Sequence, residues 1–326
     1  MKIAIYGAGA IGGNLGALLS RSGVDASLIA RGAHLEAMRA NGLKLITATE
    51  EFVTHPNVTD DPASLGPQDY VVISLKSHQA PGIMDDIQPL LGPNTTVVNA
   101  MNGIPWWYFH KLPGPWEGHR VKSVDPDNRQ WDGIGPDRAI GCITYVASEV
   151  IEPGVVKSGG QFRYFIGEPD GSMSERGQTF RDIVDASGIT AELRPKLRDD
   201  IWVKLMGNVA YNPSSALTLG TVGDMVNHPG MEIVLRNLMT EVISVAHALG
   251  CEPNVSIDER IETTRTGAGS HKTSMLQDLE RNRQMEVRPI IGAVSELGKL
   301  AGVETPTIDT VLALVSLRAD KSGLLP

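Results

Sequence analysis

An α/β fold is predicted for this chain of 326 residues: a doubly wound parallel sheet over residues 1–194, then an all-helical domain over 195–326. Three observations carry that prediction. Short apolar runs at Ile3–Tyr6, Ala26–Ala30, Val71–Leu75 and Thr95–Ala100 lack polar alternation, as strands covered on both faces do. After Pro195 such runs give way to long helical patterns joined by short Gly/Pro turns. The length suits two domains at roughly 100–200 residues each, with room for a core in both.

Taken in order, Ile3–Tyr6 is the first strand and stops at a glycine cluster. Asn14–Ser22 has helix composition, with Gly23 as its stop signal. Ala26–Ala30, Val71–Leu75 and Thr95–Ala100 follow as strands. From Ile104 to about Arg138 the pattern breaks: Pro105-Trp106-Trp107-Tyr108-Phe109 is followed by a Pro/Gly/Asp-rich stretch, predicting a long excursion near the carboxyl edge of the sheet. Ile140–Val150, Gly154–Ser158 and Phe162–Gly167 are predicted strands, and Arg176–Ser187 the last helix of the first domain. In the second domain Asp199–Tyr211, Gly230–Leu249, Ser256–Thr264, Ser274–Arg283, Pro289–Ala301 and Pro306–Ala319 are predicted helices.

Composition removes several classes of function. The net charge is −9 and no Lys/Arg-rich run occurs, so no nucleic-acid partner is expected. Cys142 and Cys251 lie far apart without a C-x-x-C, as reduced thiols of a cytoplasmic protein do. No stretch approaches the ~18 apolar residues of a membrane span. The histidines form no H-x-x-x-H pair, so no metal is expected. Neither a G-x-S-x-G elbow nor a GxxxxGK[ST] loop is present.

Gly7-Ala8-Gly9-Ala10-Ile11-Gly12 is G-x-G-x-x-G placed directly after a strand and opening a helix. There Gly7 allows a tight turn, Gly9 lets the backbone approach a pyrophosphate, and Gly12 permits close helix–strand packing. The helix N-terminus offers free N–H groups to the phosphates. This is a Rossmann-type dinucleotide site. An NAD site places Asp or Glu about twenty residues further on, to bond the ribose 2′-OH. Arg31 stands there instead and suits a 2′-phosphate. Lys76, after the Val71–Leu75 strand, adds a second cation. The predicted cofactor is NADP(H).

A second cluster opens the helical domain. Lys204, Asn208 and Asn212 are spaced i, i+4, i+8 and share one slowly drifting helical face, among apolar Val203, Leu205, Met206 and Val209. The two amides suit a site; the alternative is that they brace a turn before Pro213. Ser274 suits a ligand donor and also the N-cap of the helix it opens.

With these motifs, the chain resembles the ketopantoate reductases (2-dehydropantoate 2-reductases), within the 6-phosphogluconate-dehydrogenase-like group. The residues that carry the resemblance are Gly7–Gly12 with Arg31-Gly32, Leu75-Lys76-Ser77-His78-Gln79, Asn102-Gly103, Lys204 with Asn208 and Asn212-Pro213, and Ser274 to Asp278 followed by Glu286. The resemblance implies NADPH-dependent reduction of ketopantoate to (R)-pantoate in pantothenate biosynthesis. Lys204 matches the lysine that protonates the carbonyl oxygen, and Glu286 the carboxylate that contacts the substrate hydroxyl. Asn208, Asn212 and Ser274 match substrate-binding residues, and Asn102 the amide near the nicotinamide.

Three positions depart from the family pattern: His271 and Ile291 replace amides, and Arg288 replaces an acid. They motivate a second reading, an NADP-dependent dehydrogenase of a bulkier 2-oxo acid or secondary alcohol, with Trp106 or Trp107 walling the pocket unless these rings serve packing between the domains. A third is a non-catalytic NADP(H) sensor. The chain is expected as a monomer or homodimer.

Overall fold

The structure, a computed structural model, describes residues 1–267 and 269–326, and every side chain among them except that of Gln161. The chain divides into two compact units. Unit 1 comprises Met1–Met101, Pro105–Arg120 and Asp127–Leu197; unit 2 comprises Asn102–Ile104, Val121–Pro126 and Arg198–Pro326.

Unit 1 is organised on one ten-stranded sheet. In chain order its elements are β1 (Lys2–Tyr6), α1 (Ala10–Arg21), β2 (Asp25–Ile29), α2 (Gly32–Asn41), β3 (Leu43–Ile46), β4 (Glu51–Thr54), β5 (Asn57–Thr59), β6 (Gln68–Ile73) and β7 (Leu91–Asn99). Then come α3 (Arg129–Ile134), β8 (Ala139–Glu152), β9 (Val155–Gly167), α4 (Glu175–Ala186) and β10 (Thr190–Leu193). The strands lie in the order β4-β3-β9-β8-β7-β6-β1-β2-β5, with β10 on β9. From β5 to β8 the pairing is parallel throughout. Ile3, Ile5, Val71, Ile73, Val97 and Val98 are fully buried, as the unalternating apolar runs require.

Beyond that parallel run the sheet is mixed, and here the structure departs from the predicted elements. Where three short strands are predicted, β8 and β9 form one long antiparallel hairpin. The Gly159-Gly160 pair interrupts the apolar pattern without ending the pairing, which steps from Tyr145–Arg163 to Ala147–Gly159 across an irregularity. The helix α2 and the strands β3, β4 and β5 are not among the predicted elements; these strands are three or four residues long.

The aromatic run is the other departure. Trp106, Trp107, Tyr108 and Phe109 are at most 1% exposed and belong to the core of unit 1. Gly141 of β8 makes room for them: a Cβ there would lie 2.5 Å from Cζ2 of Trp107. Trp106 meets Trp131 edge-on at 6.2 Å, and Phe109 meets His119 at 5.3 Å. Rings this deeply packed are not available to wall a pocket.

Unit 2 is helical: α5 (Leu197–Thr218), α6 (Val222–Asn227), α7 (Pro229–Ala248), α8 (Ile257–Gly267), α9 (Ser274–Glu280), α10 (Ala293–Ala301) and α11 (Pro306–Lys321). A π-helical turn at Arg288–Gly292 leads into α10. The predicted stop at Tyr211 does not occur, because α5 continues through Pro213 to Thr218. Proline inside a helix costs about 3 kcal/mol. From Leu205 to Ala216 every residue except Asn208 is buried, and burial on nearly every side offsets that cost. The Glu241 carboxylate caps α11 by accepting from the Thr307 and Ile308 N–H groups. Among the described residues no helix is long and apolar enough to cross a membrane.

Candidate functional site

The glycine turn joins β1 to α1 and is held from two adjacent strands. Gly7 and Ala8 both donate to the Ile29 carbonyl at the end of β2, at 3.1 and 3.2 Å. The Ser74 hydroxyl, just past β6, donates to the Gly7 carbonyl at 2.8 Å. Gly7 has φ +101°, a conformation that side chains disfavour. At Gly12 a Cβ would lie 2.1 Å from the Gly7 carbonyl oxygen, so only glycine lets α1 start this close to β1. Gly9 is exposed, with nothing within 4 Å of where its Cβ would stand. It is the N-cap of α1 and contributes no side-chain cap. The first-turn N–H groups of Ala10, Ile11 and Gly12 are therefore uncapped by any side chain, beside a surface without steric obstruction. That cradle fits a dinucleotide pyrophosphate.

Arg31 is exposed at the N-cap of α2, directly after β2. Every other arginine of unit 1 pairs with a carboxylate or, for Arg138, with backbone carbonyls; Arg31 alone has no such partner among the described residues. Its charge is felt by the Tyr6 phenol at the end of β1. Burial and the Asp86 carboxylate push that phenol up to about 12, and Arg31 partly offsets them. Lys76 follows β6 and is half-buried at the N-cap of a short 3-10 turn, Ser77–Ile83. The glycine turn, Arg31 and Lys76 thus stand at the carboxyl ends of three neighbouring strands, where open α/β sheets bind ligands.

In unit 2, α5 carries Lys204, Asn208 and Asn212 on successive turns, with the first two half-buried and Asn212 buried. Ser215, one turn further, donates to the Asn212 carbonyl and shares a hydrogen bond with Thr273. Thr273 is the N-cap of α9, accepting from the Leu276 N–H at 3.2 Å. This corrects the cap reading of Ser274: the adjacent threonine caps the helix, and Ser274 is its first, exposed residue. The Ser215–Thr273 bond brings Ser274 to the α5 segment that carries Asn212.

Glu286 is 3% exposed, just before the π-helical turn. That turn matters because Ile104 donates to the Pro289 carbonyl at 3.2 Å. Gly103, at φ +89°, lies so close that a Cβ would be 2.3 Å from the same oxygen. Asn102-Gly103 is therefore docked three residues beyond Glu286, within unit 2. Arg288 is exposed with no carboxylate partner among the described residues, and Ile291 is fully buried core. His271 is exposed; its carbonyl accepts from the Val222 N–H.

Sequence reasoning did not single out Ser74, Ser215 or Thr273 as supports of the site. Ser74 bonds Gly7, and Ser215 bonds Thr273, across 67 and 58 residues of chain, and no local pattern marks such pairings.

A sheet of this order, opened by a glycine turn and followed by a helical unit, is the nicotinamide-dinucleotide-binding fold that dehydrogenases use. Comparison with known proteins narrows the class. The model of the ketopantoate reductase PanE/ApbA family matches residues 3–106, and that of the ketopantoate reductase PanE/ApbA C terminal matches residues 196–319. A 2-dehydropantoate 2-reductase of Mesorhizobium japonicum is 46% identical over 324 residues, 99% of each chain. A solved structure from Ralstonia solanacearum, provisionally assigned as a ketopantoate reductase, is 37% identical with TM-score 0.94 over 99% of both chains. The 2-dehydropantoate 2-reductase of Geobacter metallireducens is 27% identical, with TM-score 0.86 over 97% of this chain and 99% of that one. The chain belongs to the ketopantoate reductase PanE/ApbA family, and it is an oxidoreductase of CH–OH and keto groups.

Proposed function

We propose that this chain reduces 2-dehydropantoate to (R)-pantoate with NADPH, as a step of pantothenate biosynthesis. The observation that carries the reaction is Lys204: a half-buried ammonium on a largely buried helix, followed at one-turn intervals by two amides. The substrate reading is supported by the 46% identical relative. The preference for NADPH is supported by Arg31, the one arginine of unit 1 without a carboxylate or carbonyl partner among the described residues.

The first-turn N–H groups of α1 would hold the pyrophosphate, with Arg31 and Lys76 facing the 2′-phosphate and Asn102 beside the nicotinamide. When bound, the cofactor would supply the hydride that the carbonyl carbon takes up. Lys204 gives a proton to the carbonyl oxygen, so that the C=O becomes CH–OH and the ammonium becomes an amine. An ammonium there both protonates the oxygen and neutralises its developing charge. Glu286 accepts a hydrogen bond from the substrate hydroxyl, Ser274 donates to the carboxylate, and Asn208 and Asn212 orient the chain between them.

Arg288 favours a second reading, in which the oxo acid is another one. An exposed arginine without a carboxylate partner, two residues past Glu286, suits a further polar group on the substrate. The aromatic pocket wall proposed for a bulky substrate finds no support in the buried tryptophans.

Steady-state oxidation of NADPH with ketopantoate, beside NADH and a panel of other 2-oxo acids, tests both readings. A kcat/KM of about 10⁴ M⁻¹s⁻¹ or more for ketopantoate is expected, within the ordinary enzyme range. Turnover near zero there, with a different oxo acid reduced, would replace the first reading by the second.

A further inference from the structure

His34 lies on α2, three residues after Arg31, and nothing in the proposed chemistry uses it. Its ring is half-buried and both nitrogens are engaged. The Gly154 N–H, at the turn between β8 and β9, donates to Nδ1 at 2.9 Å. With Nδ1 accepting, the hydrogen stands on Nε2, which donates to the Ala8 carbonyl at 2.8 Å. Three elements distant in sequence thus meet at one imidazole: the glycine turn, the helix headed by Arg31, and the end of the hairpin.

The hairpin runs on along the helix that the turn opens. A Cβ at Gly13 would lie 2.8 Å from the Val156 side chain, and Asn14 Nδ2 donates to Ser158 Oγ at 2.9 Å. The Gly154 carbonyl accepts from Lys44 of β3 at 2.9 Å, which holds the hairpin end in place. The other hydrogen bonds on the glycine turn come from β2 and β6; among the described residues His34 is the one that ties it to α2. A dinucleotide with a 2′-phosphate must reach the N-termini of α1 and α2 together, so the spacing between them decides how well it fits.

We propose that His34 is a positioning residue for the cofactor: by bridging Ala8 to Gly154 it sets the glycine turn and the N-terminus of α2 at the spacing a dinucleotide spans. The inference rests on the NADP(H) reading above. Since both ring nitrogens are occupied, His34 acts through the backbone it holds and touches no substrate.

Two measurements on His34→Ala, His34→Asn and His34→Gln test it: equilibrium binding of NADPH followed by fluorescence, and hydrogen exchange of the cofactor-free protein over residues 7–12 and 152–158. A glutamine amide reaches the depth of Nε2 and can keep the donor to Ala8, whereas an asparagine amide reaches only the depth of Nδ1 and leaves the glycine turn untied. His34→Ala and His34→Asn are expected to bind NADPH about tenfold more weakly, the size of one or two lost hydrogen bonds. The loss should fall on KM rather than kcat, exchange should accelerate in both segments, and His34→Gln should restore most of each. Unchanged NADPH affinity in folded His34→Asn overturns the proposal, as does equal weakening in His34→Gln. If the wild-type protein itself does not bind NADPH, the cofactor reading fails instead; the exchange data then still decide whether His34 ties the two segments.

Discussion

The glycine turn of unit 1 and the α5–α9 region of unit 2, the two regions of the proposed site, would present ligand groups in opposite ways. At the turn the donors are backbone N–H groups, and the residues matter for what they lack: no Cβ fits at Gly12, and Gly7 turns at φ +101°. In unit 2 the presenting groups are side chains, and backbone geometry matters only through the supports behind them, such as the Thr273 cap and its bond to Ser215. The difference teaches where each kind of site tolerates change. A backbone cradle fails when something is added, and a side-chain constellation fails when something is taken away.

Deletions should therefore separate the two regions. Lys204→Ala is expected to lower kcat by about 10²–10⁴-fold, the range for a positioned acid, with NADPH affinity kept. A fall below about fivefold in a folded variant would remove Lys204 from the chemistry and break the contrast. Arg31→Ala should raise KM for NADPH by about 10–100-fold, from loss of charge-assisted bonds, and leave KM for NADH nearly unchanged. Equal loss for both cofactors would show that Arg31 shapes the turn and does not read the 2′ position. Thr273→Val should cost about 1–2 kcal/mol of stability through loss of the cap, seen as a lower Tm, while Thr273→Ser retains it. If Thr273→Val leaves Tm unmoved, the support assigned to Thr273 behind Ser274 is absent.

The contrast also explains what was legible in the sequence. Gly7–Gly12 could be read residue by residue, because a strand–turn–helix with glycine at those positions has few other uses. The face shared by Lys204, Asn208 and Asn212 followed from helical spacing, but their roles came only through family resemblance. Choosing Thr273 over Ser274 as the cap was beyond local pattern, since both residue types are favoured there and propensity leans to serine. Helix α5 outran its predicted end because burial outweighs the proline penalty, and burial is a tertiary quantity. The aromatic run stayed open between packing and a pocket wall for a related reason: nothing local says that Gly141, more than thirty residues on, clears the space for Trp107. His34 gave no signal at all, because both its partners are main-chain groups.

The segments Asn102–Ile104 and Val121–Pro126 belong with the helices of unit 2 although they are encoded within the stretch that builds the sheet. The Glu296 carboxylate accepts from the N–H groups of Lys122 and Ser123, at 2.8 and 2.7 Å, and the Pro289 carbonyl accepts from Ile104. The helical part is thus not a detachable cassette. A gene fragment beginning at Arg198 would translate into helices whose Glu296 and Pro289 acceptors face water in place of their partners. A chimera joined at that point would graft foreign loops onto them. Recombination that exchanges one half of this gene alone breaks both attachments at once, so the two halves are inherited to best effect as a single block.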